Sequence, residues 1–453
     1  MPALVKRRYC KQNMIKKQNM ISFPKHVLAV YEAIEASGFN FSTDSRKITP
    51  GCVFFALRGE NFDGNDFAAQ ALEKGASLVV VDDAMRFSSS GNTLLVDDVL
   101  SALQNVATYH RMKMDVPVLC LTGSNGKTTT KELIRAVLSR KYNLCATAGN
   151  LNNHIGVPLT LLSIRPEHDF AVVEMGASHP REIAVLSAIA RPDYGVITNF
   201  GRAHLEGFGG VEGVIKTKSE LYDFLRENGG VAFVNADDDI QMERSEGLER
   251  YLFSSQGHSA DVHITMETSL PVVTGSFGGR DFSTHLSGKY NFTNACAAIA
   301  VGTYFGVAPD LIAAALESYV PDNNRSQWME KNGSIVMLDA YNANPTSMSL
   351  SVENFAQADT HGLSKVAVLG DMFELGNYAL EEHGKIARMA AELPFATVYL
   401  IGENFHKIPS PASNVRVFRS FDEFAAVFSP QAPAAYLVKG SRGMAMERTL
   451  DLI

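Results

Sequence analysis

The run Thr122-Gly123-Ser124-Asn125-Gly126-Lys127-Thr128-Thr129 has the composition of a phosphate cradle. Its glycines let backbone N–H groups turn inward on phosphate oxygens, and a helix starting there adds the positive end of its dipole. A lysine placed as Lys127 reaches terminal phosphates, and a hydroxyl placed as Thr128 ligates Mg²⁺. Two residues, rather than the usual four, separate Gly123 from Gly126, and the competing reading is a Gly-rich turn that only joins strand to helix. Glu174 ends the apolar run 170–173, where a carboxylate suits the cation that accompanies a nucleotide; an acid at a strand end is otherwise merely solvated. His204 follows a further run within Asn199-Phe200-Gly201-Arg202-Ala203-His204, as a candidate ligand or an ordinary surface histidine.

Three more segments carry polar groups without declaring a role. Lys216-Thr217-Lys218-Ser219-Glu220-Leu221-Tyr222 has helical character, and spacing alone favours a solvated charged face. Asn291 and Asn294, three apart before an Ala-rich helix, either cap that helix or read an adenine edge, since an amide both donates and accepts. Asp339-Ala340-Tyr341-Asn342-Ala343-Asn344-Pro345 closes an expected strand with an Asx-rich turn.

Strands alternating with helices must position these residues. The fold expected is α/β in three domains: a central phosphate-loop ATPase domain on a mostly parallel sheet, with a Rossmann-like α/β domain after it. Residues 1–22 form a basic extension, 23–115 the first domain, 116–322 the central one and 323–453 the third. In the first domain, 52–57 and 78–82 read as strands, 67–74 as helix, 59–64 as a loop and 88–92 as an exposed turn. The central domain has strands at 118–121, 170–173, 195–198 and 231–234, with helices at 129–140, 294–304 and 311–318. Pro321-Asp322-Asn323-Asn324 reads as a hinge. Strands then follow at 334–339, 365–370, 397–401 and 435–439. Ligands of such sheets sit at the carboxyl ends of strands, where the 122–129 loop, Glu174, His204 and Asp339 fall.

Length and composition exclude much else. The chain has 453 residues, 46% hydrophobic and 20% charged, enough apolar material for several cores and too little bias for a disordered or fibrous protein. Its longest uncharged apolar stretch, 295–308, is too short to span a bilayer. Net charge is -8, and seven of the Lys and Arg residues fall within residues 1–25, so the remainder carries 34 bases against 49 acids. Nucleic-acid binding is not expected. Five cysteines without a CxxC pair (Cys10, Cys52, Cys120, Cys145, Cys296) argue against a metal cluster or disulfide scaffold and fit a reducing cytoplasm.

Together the motifs resemble those of the Mur ligase family, ATP-dependent enzymes that form amide bonds in peptidoglycan precursors. The short-spaced loop looks like that family's nucleotide loop. Gly149-Asn150-Leu151-Asn152-Asn153-His154-Ile155-Gly156-Val157-Pro158-Leu159-Thr160, Glu174-Met175-Gly176-Ala177 and Leu369-Gly370-Asp371-Met372-Phe373-Glu374-Leu375-Gly376 look like its dipeptide-adding branch. The likeness covers about residues 23–453. It implies UDP-N-acetylmuramoyl-tripeptide and D-alanyl-D-alanine as substrates, joined through an acyl phosphate, in a cytoplasmic monomer. It also implies ATP on Gly123 to Thr129 with Asn291, Asn294, Arg325 and Asp339, and two Mg²⁺ ions on Thr128, Glu174, His204 and a carbamylated Lys218. Lys127, Lys218 and His204 take catalytic roles. Asp44, Ser45 and Arg46, with Asn152 and Asn153, would receive the uridine-linked substrate. No Asp-Asn-Pro-Arg signature of the tripeptide-forming branch occurs. Rivals are that branch, folylpolyglutamate synthetase, a small-molecule kinase and a non-catalytic nucleotide-binding scaffold.

Overall fold

The computed structural model describes residues 22–86, 92–321, 324–430 and 432–453. Residues 1–21 of the basic extension (Cys10 among them), residues 88–91 of the expected 88–92 turn and the hinge residues 322–323 fall outside these.

A four-stranded, all-parallel sheet opens the chain, in the order Phe41–Ser42, Val53–Phe55, Leu78–Val81, Thr93–Leu95. The expected 59–64 loop instead contains a small hairpin, Arg58–Gly59 with Phe62–Asp63. Its sequence gave no alternation to reveal it, because each arm is two residues long. Helices Lys25–Ala36 and Val99–Lys113 cover the sheet, and Asp98 caps the second through the Ser101 N–H.

The central sheet has nine strands. Seven run parallel, in the order Leu144–Ala146, Phe170–Glu174, Val118–Thr122, Tyr194–Ile197, Val231–Asn235, Glu249–Ser254, Val262–Thr268. Thr274–Phe277 and Arg280–Ser283 then extend it antiparallel. Its inner strands are buried on both faces, which is why they read as unbroken apolar runs. Alternation still sorts their side chains. Val118 and Cys120 pack with Leu186 and Leu221 on one face, Leu119 and Leu121 with Ile134 and Ala298 on the other. The second face is built by Lys127–Leu138 and the Ala-rich Lys289–Tyr304, whose small residues let the two helices approach closely.

The third sheet orders its six strands Gln327–Lys331, Ser334–Asp339, Ala435–Lys439, Lys365–Gly370, Thr397–Ile401, Val415–Phe418; only the first pairing is antiparallel. The two outermost strands were not expected. Partial exposure at these edges mixes polar with apolar residues and hides their pattern. Cys52, Cys120, Cys145 and Cys296 are buried free thiols, and no helix among the described residues is long and apolar enough to cross a membrane.

Candidate active site

The strand Val118–Thr122 delivers the loop onto the helix Lys127–Leu138. Gly123 has φ 144°, and a Cβ there would lie 1.9 Å from Thr198 Oγ1. Gly126 has φ 78°, with Asn294 Oδ1 at 2.5 Å from such a carbon. Both positions therefore exclude a side chain. Lys127 Nζ folds back to donate to the Gly123 carbonyl at 2.7 Å and the Ser124 carbonyl at 3.2 Å. Burial depresses its pKa to about 8, against the upward pull of Glu174.

Sheet order sets Phe170–Glu174 directly beside the loop strand, so Glu174 meets the first helical turn. Its Oε1 accepts from Thr128 Oγ1 at 3.2 Å and Asn152 Nδ2 at 2.8 Å, while Oε2 is buried with no partner. An unpartnered buried carboxylate oxygen is costly unless a cation meets it. Among the described residues, no group of three or more His, Cys, Asp or Glu could hold a metal alone. The donor set thus fits Mg²⁺, which binds one or two carboxylates and takes its other ligands from phosphates and water.

His204, at φ 51°, starts the short helix Leu205–Phe208; its Nδ1 pairs with the Glu374 carboxylate, and that contact holds Glu374 below its ordinary pKa. Lys218 lies on the helix Val211–Asn228 and is 1% exposed, whereas neighbouring Lys216 faces solvent. Lys218 Nζ donates to the Ala177 carbonyl at 3.2 Å and sits 5.3 Å from the Phe208 ring centroid. Burial, reinforced by the charge of Lys127, pushes its ammonium well below the usual range, although Glu182 and Glu220 oppose this. The solvated charged face expected from spacing is therefore wrong at Lys218. This lysine stands one layer behind Ala177, which lines the cavity while Lys218 does not.

Neither asparagine of the Ala-rich helix caps it. Gly288 occupies that position, while Asn291 Nδ2 donates to the Ser287 carbonyl at 2.8 Å. Asn294 Nδ2 donates to Asn291 Oδ1 at 3.0 Å, and Asn294 Oδ1 accepts from Thr130 Oγ1 at 3.1 Å. From the third sheet, parallel register sets Asp339 opposite Lys439, and they pair at 2.6 Å. Burial works against the Asp339 charge, but Lys439, the Ser326 N–H and the Ser351 hydroxyl outweigh it and lower the pKa. The Arg325 guanidinium lies 3.8 Å from the Tyr341 ring centroid, and its Nε is buried without a partner.

These groups enclose a cavity of about 1260 Å³, larger than the range of about 300–1,000 Å³ usual for one small ligand. Ser124 through Thr129, Asn152, Asn153, Glu174, His204, Asn291, Asn294, Arg325 and Asp339 line it. Asp44, Ser45 and Arg46 do not: Asp44 caps the turn Ser45–Lys47 and pairs with exposed Arg46 at 2.9 Å, on the first sheet unit. Tyr341 and Glu374, named from the sequence only within their motifs, also line the cavity, as does Lys439, which had not been singled out. Lys439 left one signal, a charged residue closing an otherwise apolar strand.

The Mur ligase middle domain matches residues 121–302, the Mur ligase glutamate ligase domain residues 324–442, and the Mur ligase family catalytic domain residues 40–111. The UDP-N-acetylmuramoyl-tripeptide--D-alanyl-D-alanine ligase of Escherichia coli (strain K12) is 36% identical over 426 residues, spanning 90% of this chain and 92% of that protein. The chain belongs to the Mur ligase family. A crystal structure of MurF from Acinetobacter baumannii superposes on this Mur ligase with a TM-score of 0.83 at 32% identity, covering 93% of this chain and 97% of that one. MurF ligase from Thermotoga maritima in complex with ADP gives 0.79 at 28% identity, covering 91% and 96%.

Proposed function

We propose that this Mur ligase adds D-alanyl-D-alanine to UDP-N-acetylmuramoyl-tripeptide at the expense of ATP, in the cytoplasm where both UDP-linked precursor and ATP occur. The observation that carries the reading is the likeness, along nearly the whole chain, to a relative bearing that name. The cavity suits it, because a phosphate loop and a third unit's polar edge face each other across a space too large for a nucleotide alone.

A carboxylate resists attack by an amine because its oxygen leaves poorly. Transfer of the ATP terminal phosphoryl group to the tripeptide carboxylate gives an acyl phosphate; the dipeptide amine then adds to the carbonyl, and phosphate departs from the tetrahedral intermediate. Lys127 offsets charge on the transferring group and the loop N–H groups hold the phosphates. Thr128 and Glu174 would hold Mg²⁺, and His204 a second ion, which when bound would supply further charge neutralisation. Asn291 and Asn294 receive the adenine, Arg325 and Asp339 the remaining nucleotide surface, and Asn152 and Asn153 the substrate's peptide end. Asp44, Ser45 and Arg46 hold the uridine diphosphate on the first unit. Lys218, whose charged form burial disfavours, would take up CO₂ as a carbamate from its place one layer behind Ala177. Every one of these groups belongs to one chain, so a monomer suffices.

The test is phosphate release from ATP with the UDP-linked tripeptide. Release that requires D-alanyl-D-alanine is expected. Release equally supported by glutamate and a folate, or a stable phosphorylated product without any amine, would replace the reading with folylpolyglutamate synthesis or a kinase. In the same assay Lys218→Ala should be inactive and partly restored by short carboxylic acids; full activity without them removes the carbamate.

A further inference from the structure

Asn344 heads the helix Pro345–Gln357 and has no part in the chemistry above. Its Oδ1 accepts from the Ser347 N–H at 2.9 Å, and Ser347 Oγ accepts from the Asn344 N–H at 3.1 Å. This reciprocal cap commits the amide oxygen to its own helix, so Nδ2 faces outward. Nδ2 donates across the seam to Asn125 Oδ1 at 2.7 Å. A donor at that place requires Asn125 to present its oxygen, which turns Asn125 Nδ2 the opposite way.

The remainder of Asn125 is fixed as well. Its N–H donates to Asn199 Oδ1 at 3.1 Å, and its carbonyl accepts from Thr198 Oγ1 at 2.6 Å and Asn199 Nδ2 at 3.0 Å. Only Nδ2 is left, buried and without a partner. It lies against Gly201, where an added Cβ would come within 2.7 Å of it. Gly126, the next residue, abuts Asn294 on the adenine side. Asn125 Nδ2 thus faces away from the Asn294 side, toward the run that leads to His204, the side that the proposed reading gives to the terminal phosphate.

We infer that Asn344 is a positioning residue: seating the third sheet unit brings its amide onto Asn125 and holds the Asn125 Nδ2 group toward the terminal phosphate of bound ATP. Docking of that unit and readiness of the loop become one event. This rests on reading the loop as an ATP site, and it goes further in naming how the third unit reaches that site.

Asn344→Asp isolates the effect. Aspartate caps a helix as well as asparagine does, so melting should be unchanged. Having no donor, it would draw Asn125 Nδ2 to itself and away from the phosphate. Affinities for a non-hydrolysable ATP analogue and for ADP, each with Mg²⁺, are measured by calorimetry on the wild type, Asn125→Ala, Asn344→Asp and the double variant. The wild type should prefer the analogue. Each single variant should reduce that preference by about tenfold, and the double variant no further, since both remove one contact. An unchanged ratio in Asn344→Asp, equal losses for both nucleotides, or losses that multiply in the double variant would overturn the inference. These readings need no second substrate, so failure of the dipeptide assay leaves them interpretable, and their failure leaves that assay untouched.

Discussion

The central sheet unit meets its two neighbours in contrasting ways. Toward the first unit it shares one continuous core, in which Val27, Phe55 and Leu103 pack with Val118, Leu161 and Leu186. A buried ion pair crosses that boundary, Arg111 to Asp193 at 2.7 Å, with Arg111 also donating to the Ala190 and Arg191 carbonyls. Toward the third unit, among the described residues, Leu205, Phe208 and Val214 form an apolar patch with Met372 and Leu375, and polar contacts lie beside it. Asn344 meets Asn125, the Arg202 N–H donates to Thr346 Oγ1 at 2.8 Å, and the Arg202 side chain pairs with Glu382 at 2.7 Å. Much of this second boundary is the cavity itself. The first seam is built to stay shut and the second to open for ligands, because hydrogen bonds exchange with water at little net loss whereas a shared apolar core does not.

Arg111→Ala should break the contrast most strongly. It leaves the buried Asp193 carboxylate with the Val118 N–H but without its charged partner, and loss of one partner from a buried pair costs about 3–5 kcal/mol. Urea unfolding should show a large drop in midpoint; a change below about 1 kcal/mol would mean that the seam is less rigid than its packing implies.

The same seam should also respond to acid. His110 is buried between the Tyr31 hydroxyl at 3.0 Å and the Ile164 carbonyl at 2.9 Å, and burial lowers its pKa from 6.5 to about 4. Arg165 and Lys113 press it down further and Glu35 opposes them. The unfolded chain takes up this proton first, so stability is complete above pH 6.5 and falls as pH drops toward about 4. The full effect is on the order of 3 kcal/mol. Unfolding measured across this window should show that slope, and His110→Gln should flatten it.

Arg202→Ala tests the second seam and should do least. The arginine is 41% exposed, and Glu382 keeps Lys385 at 2.9 Å, so stability should change by less than about 1 kcal/mol. Turnover should fall up to about fivefold through weaker docking. A large loss of stability with intact turnover would reverse the roles assigned to the two seams.

Some of this was legible residue by residue. The four strands expected in the third unit, 334–339, 365–370, 397–401 and 435–439, have the observed bounds, because each has an apolar centre bracketed by polar or small residues at or just past its ends. The strand Val262–Thr268 and its antiparallel extension were not anticipated, since their half-exposed residues mimic loop composition. Among site residues, Lys127 and Thr128 declared themselves by a local rule: loop, glycine, then helix. Lys218 and Asn291 did not, because their roles depend on what covers them.

The chain's own order of residues determined the parallel α/β layout, the glycines of the phosphate loop and the strand ends on which polar groups would stand, since each follows from local backbone conformation and apolar periodicity. Tertiary structure alone decided that Lys218 is buried while Lys216 is wet, that Glu174 has an oxygen left over and that Asn344 reaches Asn125. Desolvation and hydrogen bonding across hundreds of residues are properties of neighbours in space, and no spacing along the polymer encodes them.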